Sequence, residues 1–492
     1  MFEAAELGRK VSKKTFAKEE PKLHTELLRV QRELVKASVP VVIVVSGVEG
    51  AGKGDVVSLL HRWLDTRGIQ THAFWEESDE ESERPRFWRF WRSLPPAGTI
   101  AIMFGSWYTK PVIDRVFDRK SETELDQELS RIRSFERLLT DEGALIIKFW
   151  FHLPKDVQRQ RLESDKKKAT RAKPSPLLKK FSKRYDRFAT VSERTLRQTD
   201  TGPCPWHIIE ATDGRYRDLS VGRILLDTLS RRLSAPVSST EPKSETAPGA
   251  TEDSVTILDR VDLTQTVSEA DYARRLSRHQ RAISGLSWKM HQKRLFTVAV
   301  FEGWDAAGKG GVIRRVTRAI DPRLYRVISV AAPTDEEKAQ HYLWRFWRHL
   351  PRAGHMTLYD RSWYGRVLVE RVEGFATERA WRRSYREIND FEEQLARHGI
   401  VLMKFWIHIS PEEQLRRFRE REKTPWKQHK ITDEDWRNRE KWDAYAGAVN
   451  DMIAHTSTAH ARWQIVAGND KRAARLQVLE TFRRRLSKTL GS

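Results

Sequence analysis

The chain repeats itself, and that repeat limits what it can fold into. Arg89-Phe-Trp-Arg-Ser-Leu-Pro-Pro-Ala-Gly98 returns as Arg345-Phe-Trp-Arg-His-Leu-Pro-Arg-Ala-Gly354, with eight of ten positions identical at an offset of 256. The same offset carries SGVEGAGKG (Ser46 to Gly54) onto EGWDAAGKG (Glu302 to Gly310). It also carries Ser106-Trp107-Tyr108 onto Ser362-Trp363-Tyr364, and Lys148-Phe-Trp-Phe-His onto Lys404-Phe-Trp-Ile-His. Later it slips by one, since Trp206-His-Ile-Ile pairs with Trp463-Gln-Ile-Val. An offset that holds over roughly a hundred residues marks two copies of a whole domain, not a stack of short repeats. Between the copies, Ser234 to Thr256 is rich in Ser, Thr, Pro and Glu and has no aromatic residue. Such a stretch cannot bury enough apolar area to order itself, so it reads as a linker. The expected division is 1–233, a flexible linker over 234–256, and 257–492.

Each copy has one rhythm. A charged amphipathic helix (Leu23 to Lys36; Tyr272 to Gln292) precedes an apolar strand (Val41 to Val45; Phe296 to Phe301), a glycine-rich loop and a helix. A second strand follows (Ile69 to Phe74; Tyr325 to Val330), then an aromatic, Arg-rich helix ending at Leu-Pro. The third strand is Thr99 to Phe104 or Met356 to Tyr359, and a long helix leads to the fourth (Leu145 to Leu153; Leu402 to Ile409). A basic helical excursion precedes the last strand (Trp206 to Glu210; Trp463 to Val466). Apolar strands alternating with helices predict an α/β fold: two tandem domains, each a parallel sheet of about five strands sandwiched by helices. Ligands then bind at the carboxyl ends of the strands. In Tyr342-Leu-Trp-Arg-Phe-Trp-Arg-His-Leu the aromatics read most simply as core; interleaved Arg and aromatics also suit base stacking.

Among 492 residues the net charge is +22, which favours a polyanionic partner and leaves nucleic acid, an anionic membrane and polyphosphate-like substrates open. Cys204 is the only cysteine, so no intramolecular disulfide forms. MFEAAELGRKVSKK lacks the apolar core of a secretory signal, and no apolar run reaches membrane-span length. A cytoplasmic protein is expected.

The second loop, Gly303-Trp-Asp-Ala-Ala-Gly308-Lys309, has phosphate-loop spacing: two glycines bracketing four residues, then lysine. Glycines let several backbone N–H groups converge on one anion. The helix starting near Gly310 turns its positive end toward the same point. Gly303, Ala306, Ala307, Gly308 and Gly310 are the expected phosphate cradle, with Lys309 as a mobile cation. The usual loop continues with Ser or Thr, whose hydroxyl holds Mg²⁺. Gly310 stands there instead, so a metal must be held differently. Asp305 is the candidate, because an acid in an anion-binding loop needs a cation beside it. Asp360, at the end of the third strand, reaches the same crevice and is the second candidate metal ligand. Arg361, Arg366 and Arg371 follow in DRSWYGRVLVERV, where they can clamp phosphate oxygens or pair with surface acids such as Glu370. The basic run Leu415 to Lys441, containing Lys423, Lys427 and Lys430, reads either as a solvated helical face or as a lid over a phosphate chain. A helix is expected to begin after Thr432, with Asp433, Glu434 and Asp435 in its first turn.

GWDAAGKGG, YDRSWYGRVLVERV, KFWIHIS and the basic run together resemble polyphosphate kinase family 2, and the doubled layout resembles its two-domain class, the polyphosphate:AMP phosphotransferases. The resemblance covers nearly the whole chain outside the linker. It implies a P-loop kinase-like fold with a basic lid, and transfer of a terminal polyphosphate phosphoryl group to AMP, giving ADP. It implies Mg²⁺ dependence, with Mn²⁺ as the alternative ion. Carried over by position, Asp305 and Asp360 are the catalytic carboxylates, Lys309 and Arg361 bind phosphate, and polyphosphate lies along the lid. Inorganic polyphosphate and AMP or ADP are therefore the expected partners, with no membrane and with nucleic acid disfavoured; a homo-oligomer stays open.

The first copy departs from this pattern. Lys53 and its glycines persist, but Glu49 replaces the aspartate and Phe104-Gly105 replaces Asp360-Arg361. That copy is expected to be catalytically silent, although Lys155 to Arg184 carries twelve Lys and Arg against three acids and suits an anion. Competing readings are polyphosphate-driven phosphorylation of ADP or GDP, synthesis of polyphosphate from a nucleoside triphosphate, a nucleic-acid-stimulated ATPase, and a non-catalytic polyphosphate scaffold.

Overall fold

The computed structural model describes residues 1–167, 184–234 and 256–491, so the expected linker and most of the first copy's basic stretch lie outside the described residues. The chain divides into two compact units. The first takes in Met1–Glu77, the stretch beginning at Arg89, and Asp335–His341; Ser78–Trp88 groups with the second.

In the first unit the strands are β1 (Val41–Gly47), β2 (Ile69–Ala73), β3 (Ile100–Phe104), β4 (Leu145–His152) and β5 (Trp206–Glu210). They form one sheet in the order β2-β3-β1-β4-β5, with every pairing parallel. The second unit repeats this with β6 (Phe296–Gly303), β7 (Tyr325–Ser329), β8 (Met356–Asp360), β9 (Ile400–His408) and β10 (Trp463–Ala467). Its order is β10-β9-β6-β8-β7, again all parallel. The central strands are buried on both faces, which explains their unbroken apolar runs. Parallel neighbours need crossover connections, and the helices that supply them cover the sheet. In the second unit, for example, the first helix (Glu269–Gln292) and the last (Lys471–Leu490) lie against each other.

The expected aromatic, Arg-rich helices are single turns, Trp88–Trp91 and Trp344–Trp347. Their length is limited by Leu-Pro ahead, since the residue before proline is pushed out of the helical region. Leu343, Trp344, Phe346 and Trp347 are buried, so these aromatics are core and present no stacking platform. Arg348 stays near the surface layer by lying over the Trp344 ring at 4.5 Å. The basic run of the second unit forms helix Pro411–Lys423, a 3-10 turn Pro425–Lys430 and helix Asp433–Glu440. Thr432 and Asp435 close a capping box, so the acids sit where the expected helix start required them. No helix among the described residues is long and apolar enough to cross a membrane.

Candidate active site

In the second unit β6 lies between β8 and β9, and Phe301 pairs in register with Asp360. Two residues on from Phe301, β6 ends at Gly303 and the loop begins; β8 ends at Asp360. Strand pairing alone therefore brings the loop and Asp360 together. Gly303 has φ +152°, and a Cβ there would lie 2.5 Å from the Ile407 carbonyl oxygen, so only glycine fits. Ala306 (φ +61°) and Arg361 (φ +64°) are left-handed without being glycine, whereas their counterparts in the first unit are Gly50 and Gly105. Such positions cost about 1–3 kcal/mol and cluster where function demands a particular direction.

Lys309 opens the helix Lys309–Thr317 behind Gly308. Its Nζ donates to the carbonyl oxygens of Gly303 (2.6 Å) and Trp304 (3.2 Å). Burial lowers its pKa, while Asp305 works in the opposite direction. Burial would raise the Asp305 pKa, but Lys309, Arg361 and a hydrogen bond from Asn438 together hold it below its ordinary value. Arg361 donates to Asp305 Oδ1 (3.1 Å) and Asn438 Nδ2 to Oδ2 (2.9 Å), so both oxygens are engaged. The Asp360 carboxylate makes no hydrogen bond among the described residues; its Oδ2 lies 4.0 Å from where a Cβ on Gly310 would project. Asp305, Lys309, Asp360 and Arg361 are thus brought together around the loop.

The other expected phosphate ligands differ. Arg366 pairs with Glu370 at 2.9 Å and lies over Tyr342 at 4.8 Å. Arg371 bonds Asp451 (2.8 Å) and Tyr385 (2.9 Å) and stacks over Trp381 at 4.1 Å. Both guanidiniums are tied into the unit's own structure, the arrangement weighed as the alternative for them. Lys423 is exposed at the end of its helix, and the side chains of Lys427 and Lys430 lie outside the described ones.

Several residues that the sequence reading passed over support the loop. Arg417, buried, donates to the carbonyl oxygens of Ala306, Ala307, Gly468 and Asn469, and Gln414 donates to that of Asp305. Arg161 and Gln158 do the same in the first unit at the repeat offset of 256, a signal the sequence contained. Burial raises the pKa of Glu302, whose Oε1 accepts from Ser362 Oγ at 2.7 Å. The segment after Arg361 is anchored by a buried cluster: Trp363 Nε1 (3.1 Å) and Tyr364 OH (2.6 Å) donate to Glu392, which pairs with Lys404 at 2.8 Å. Arg475 lies with its guanidinium 3.6 Å from where a Cβ on Gly311 would project, and makes no hydrogen bond or ion pair among the described residues.

The first unit's loop is neutralised from within. Lys53 pairs with Glu49 at 2.8 Å and donates to the Gly47 carbonyl at 2.9 Å. A Cβ on Gly52 would overlap the Arg217 guanidinium, which pairs with Asp218 at 2.8 Å and Asp55 at 3.6 Å.

The family model described as "Polyphosphate kinase 2 (PPK2)" matches residues 10–235 and 266–490. A Pseudomonas aeruginosa protein named polyphosphate:AMP phosphotransferase is 49% identical over 489 residues, covering 98% of both chains. A Pseudomonas syringae pv. tomato protein of the same name is 47% identical over 497 residues, covering 100% of this chain and 99% of its own. The crystal structure of a protein described as a putative polyphosphate kinase 2 from Pseudomonas aeruginosa superposes with a TM-score of 0.90 at 47% identity, covering 100% of each chain. With both repeats matched, and with a solved structure alike from end to end, this chain belongs to the polyphosphate kinase 2 family.

Proposed function

We propose that the chain is a polyphosphate:AMP phosphotransferase that moves the terminal phosphoryl group of inorganic polyphosphate to AMP, giving ADP. The observation that carries this reading is likeness along the full length to relatives named for that reaction. The second unit, which we take as the catalytic copy over 257–492, supplies the chemistry; the first, over 1–233, is taken as silent, with 234–256 as the linker.

The reaction joins two anions, so catalysis is mostly placement and neutralisation. The loop's backbone N–H groups and the start of helix Lys309–Thr317 would receive the polyphosphate terminus. Lys309 and Arg361 would neutralise its oxygens, and Arg475 would extend the positive wall past Gly311. The basic run, which contains Lys423, Lys427 and Lys430, would cover the chain. An AMP phosphate oxygen then bonds to the terminal phosphorus as the phosphoanhydride bond behind it breaks, leaving polyphosphate one unit shorter. That oxygen is already ionised near neutral pH, so no strong base is needed. One anhydride replaces another, and the reaction is expected to be reversible.

Asp360 fits a hard divalent cation, Mg²⁺ first and Mn²⁺ as the alternative. Its carboxylate is not hydrogen-bonded among the described residues and lies beside the phosphate loop, and Mg²⁺ is commonly held by one or two carboxylates plus phosphates and water. Such an ion would supply charge neutralisation between the phosphates. Asp305 would join it through the lone pairs that Arg361 and Asn438 leave on its two oxygens.

The test is to incubate the purified chain with Mg²⁺, long-chain polyphosphate and, separately, AMP, ADP, GMP and GDP, and to identify the products. ADP from AMP is expected. No ADP from AMP, with ATP from ADP, would replace the reading with diphosphate chemistry. Nucleotide hydrolysis stimulated by nucleic acid would replace it with an ATPase.

A further inference from the structure

The Asp305 carboxylate is the end of a chain of hydrogen bonds that starts on the helix Trp442–Thr456. Tyr445, buried on helix Trp442–Thr456, donates its hydroxyl to Asn438 Oδ1 at 3.2 Å. With that oxygen accepting, the Asn438 amide nitrogen faces Asp305 Oδ2 at 2.9 Å. Arg361 holds the other oxygen. Alongside, Trp304 of the loop stacks on Trp442 with ring centroids 3.7 Å apart and planes 10° apart, so the helix carrying Tyr445 is fixed against the loop at a second point. Asp305 and Lys309 are four residues apart, yet no hydrogen bond joins them among the described residues. The Lys309 Nζ goes to backbone carbonyls instead.

The repeat provides an internal comparison. In this region the offset is 257: Trp206 Nε1 donates to Thr199 Oγ1, and Trp463 Nε1 to Thr456 Oγ1, each at 2.9 Å. By that offset Tyr445 corresponds to Phe188, which has no hydroxyl, and Trp442 to Tyr185. By the earlier offset Arg361 corresponds to Gly105. In the first unit, lacking the hydroxyl and the guanidinium, the loop acid Glu49 closes onto the loop lysine Lys53 at 2.8 Å. A lysine and an acid paired with each other have less to offer a phosphate.

We propose that Asn438 and Tyr445 are positioning residues that hold the Asp305 carboxylate off Lys309, leaving the Lys309 ammonium without an acid partner and so available to the phosphates being joined. Neither touches the reacting atoms; they act through Asp305. The inference rests on the phosphotransferase reading above and adds to it two residues with a stated role.

The test is steady-state kinetics of the full chain with AMP and polyphosphate, for wild type, Tyr445→Phe and Asn438→Ala, with thermal melts of each. Tyr445→Phe should lower kcat about fivefold, the worth of one hydrogen bond between uncharged groups, and Asn438→Ala about tenfold or more, since it frees a carboxylate oxygen. The KM values should stay within about twofold, because the substrate contacts remain. Melting temperatures should barely move for Tyr445→Phe, which keeps the buried ring, so that variant decides the matter if Asn438→Ala folds poorly. Unchanged kcat in Tyr445→Phe overturns the relay. A raised KM with kcat intact overturns positioning and makes Asn438 a substrate contact. Wild type that forms no ADP is a failure of the functional reading, distinct from either result.

Discussion

Replacing Gly303 by alanine tests the loop by geometry alone, without removing any charge. The residue has φ +152°, a region nearly closed to side chains, and its new Cβ would lie 2.5 Å from the Ile407 carbonyl oxygen and 3.0 Å from the Ile407 nitrogen. Ordinary contact begins near 3.4 Å, so the ends of β6 and β9 must part by roughly 0.9 Å. The backbone conformation adds about 1–3 kcal/mol, and in a domain of this size each kcal/mol is about 2–4 °C of melting temperature. A misplacement near 1 Å can lower turnover about a hundredfold. Gly47→Ala is the matched control, because φ is +141° there and the Cβ would lie 2.2 Å from the Phe151 carbonyl oxygen. Both variants should therefore lose several degrees in a melt followed by circular dichroism. Assayed well below both transitions for ADP release from AMP and polyphosphate, Gly303→Ala should lose about a hundredfold in kcat while Gly47→Ala keeps nearly the wild-type rate. Equal losses in the two, or a destabilised Gly303→Ala with full turnover, would refute the reasoning that the second loop alone does chemistry.

Three further outcomes are expected. Glu392→Gln leaves the Lys404 ammonium buried without its counter-charge and should destabilise the second unit by about 3–5 kcal/mol in a denaturant titration. Arg475→Ala should raise the KM for long-chain polyphosphate several-fold with little change in kcat, and should flatten the salt dependence of that KM, since the missing contact is a charge on a phosphate. His408 is held neutral by burial, its pKa lowered from 6.5 to about 4, with its Nδ1 accepting from Trp304 Nε1 at 2.9 Å. Between those pH values the unfolded chain binds a proton that the folded chain does not, so stability should rise with pH from about 4 to 6.5 and then level off. A chain in which His408→Asn leaves that slope unchanged in pH-dependent melts would exclude His408 as its source.

Much of the architecture was legible because it is written in patterns of near neighbours. Alternating apolar strands and helices, doubled at one offset, specify a covered parallel sheet twice over, and Asp360 at a strand end falls beside the loop by strand pairing. What was not legible comes from distant pairs. Asn438 meets Asp305 across 133 residues and Arg417 meets Ala306 across 111; neither has a local signature. Arg417 was still within reach, since Arg161 stands at the same offset. For Arg366 and Arg371 the sequence left phosphate clamping and pairing with an acid such as Glu370 both open; it gave no sign that Asp451, 80 residues on, meets Arg371. The aromatic stretches read as full helices because their spacing is helical, but the chain turns away after one turn to meet Leu-Pro.

The most direct measurement is the rate of ADP formation from AMP and polyphosphate by the full chain carrying Lys309→Ala, beside the same chain carrying Lys53→Ala. Among the described residues the Lys309 Nζ donates to backbone carbonyls and to no acid, whereas Lys53 is already paired with Glu49. The account predicts that Lys309→Ala nearly abolishes turnover and that Lys53→Ala leaves it close to wild type. Turnover lost with Lys53→Ala and spared with Lys309→Ala would contradict it.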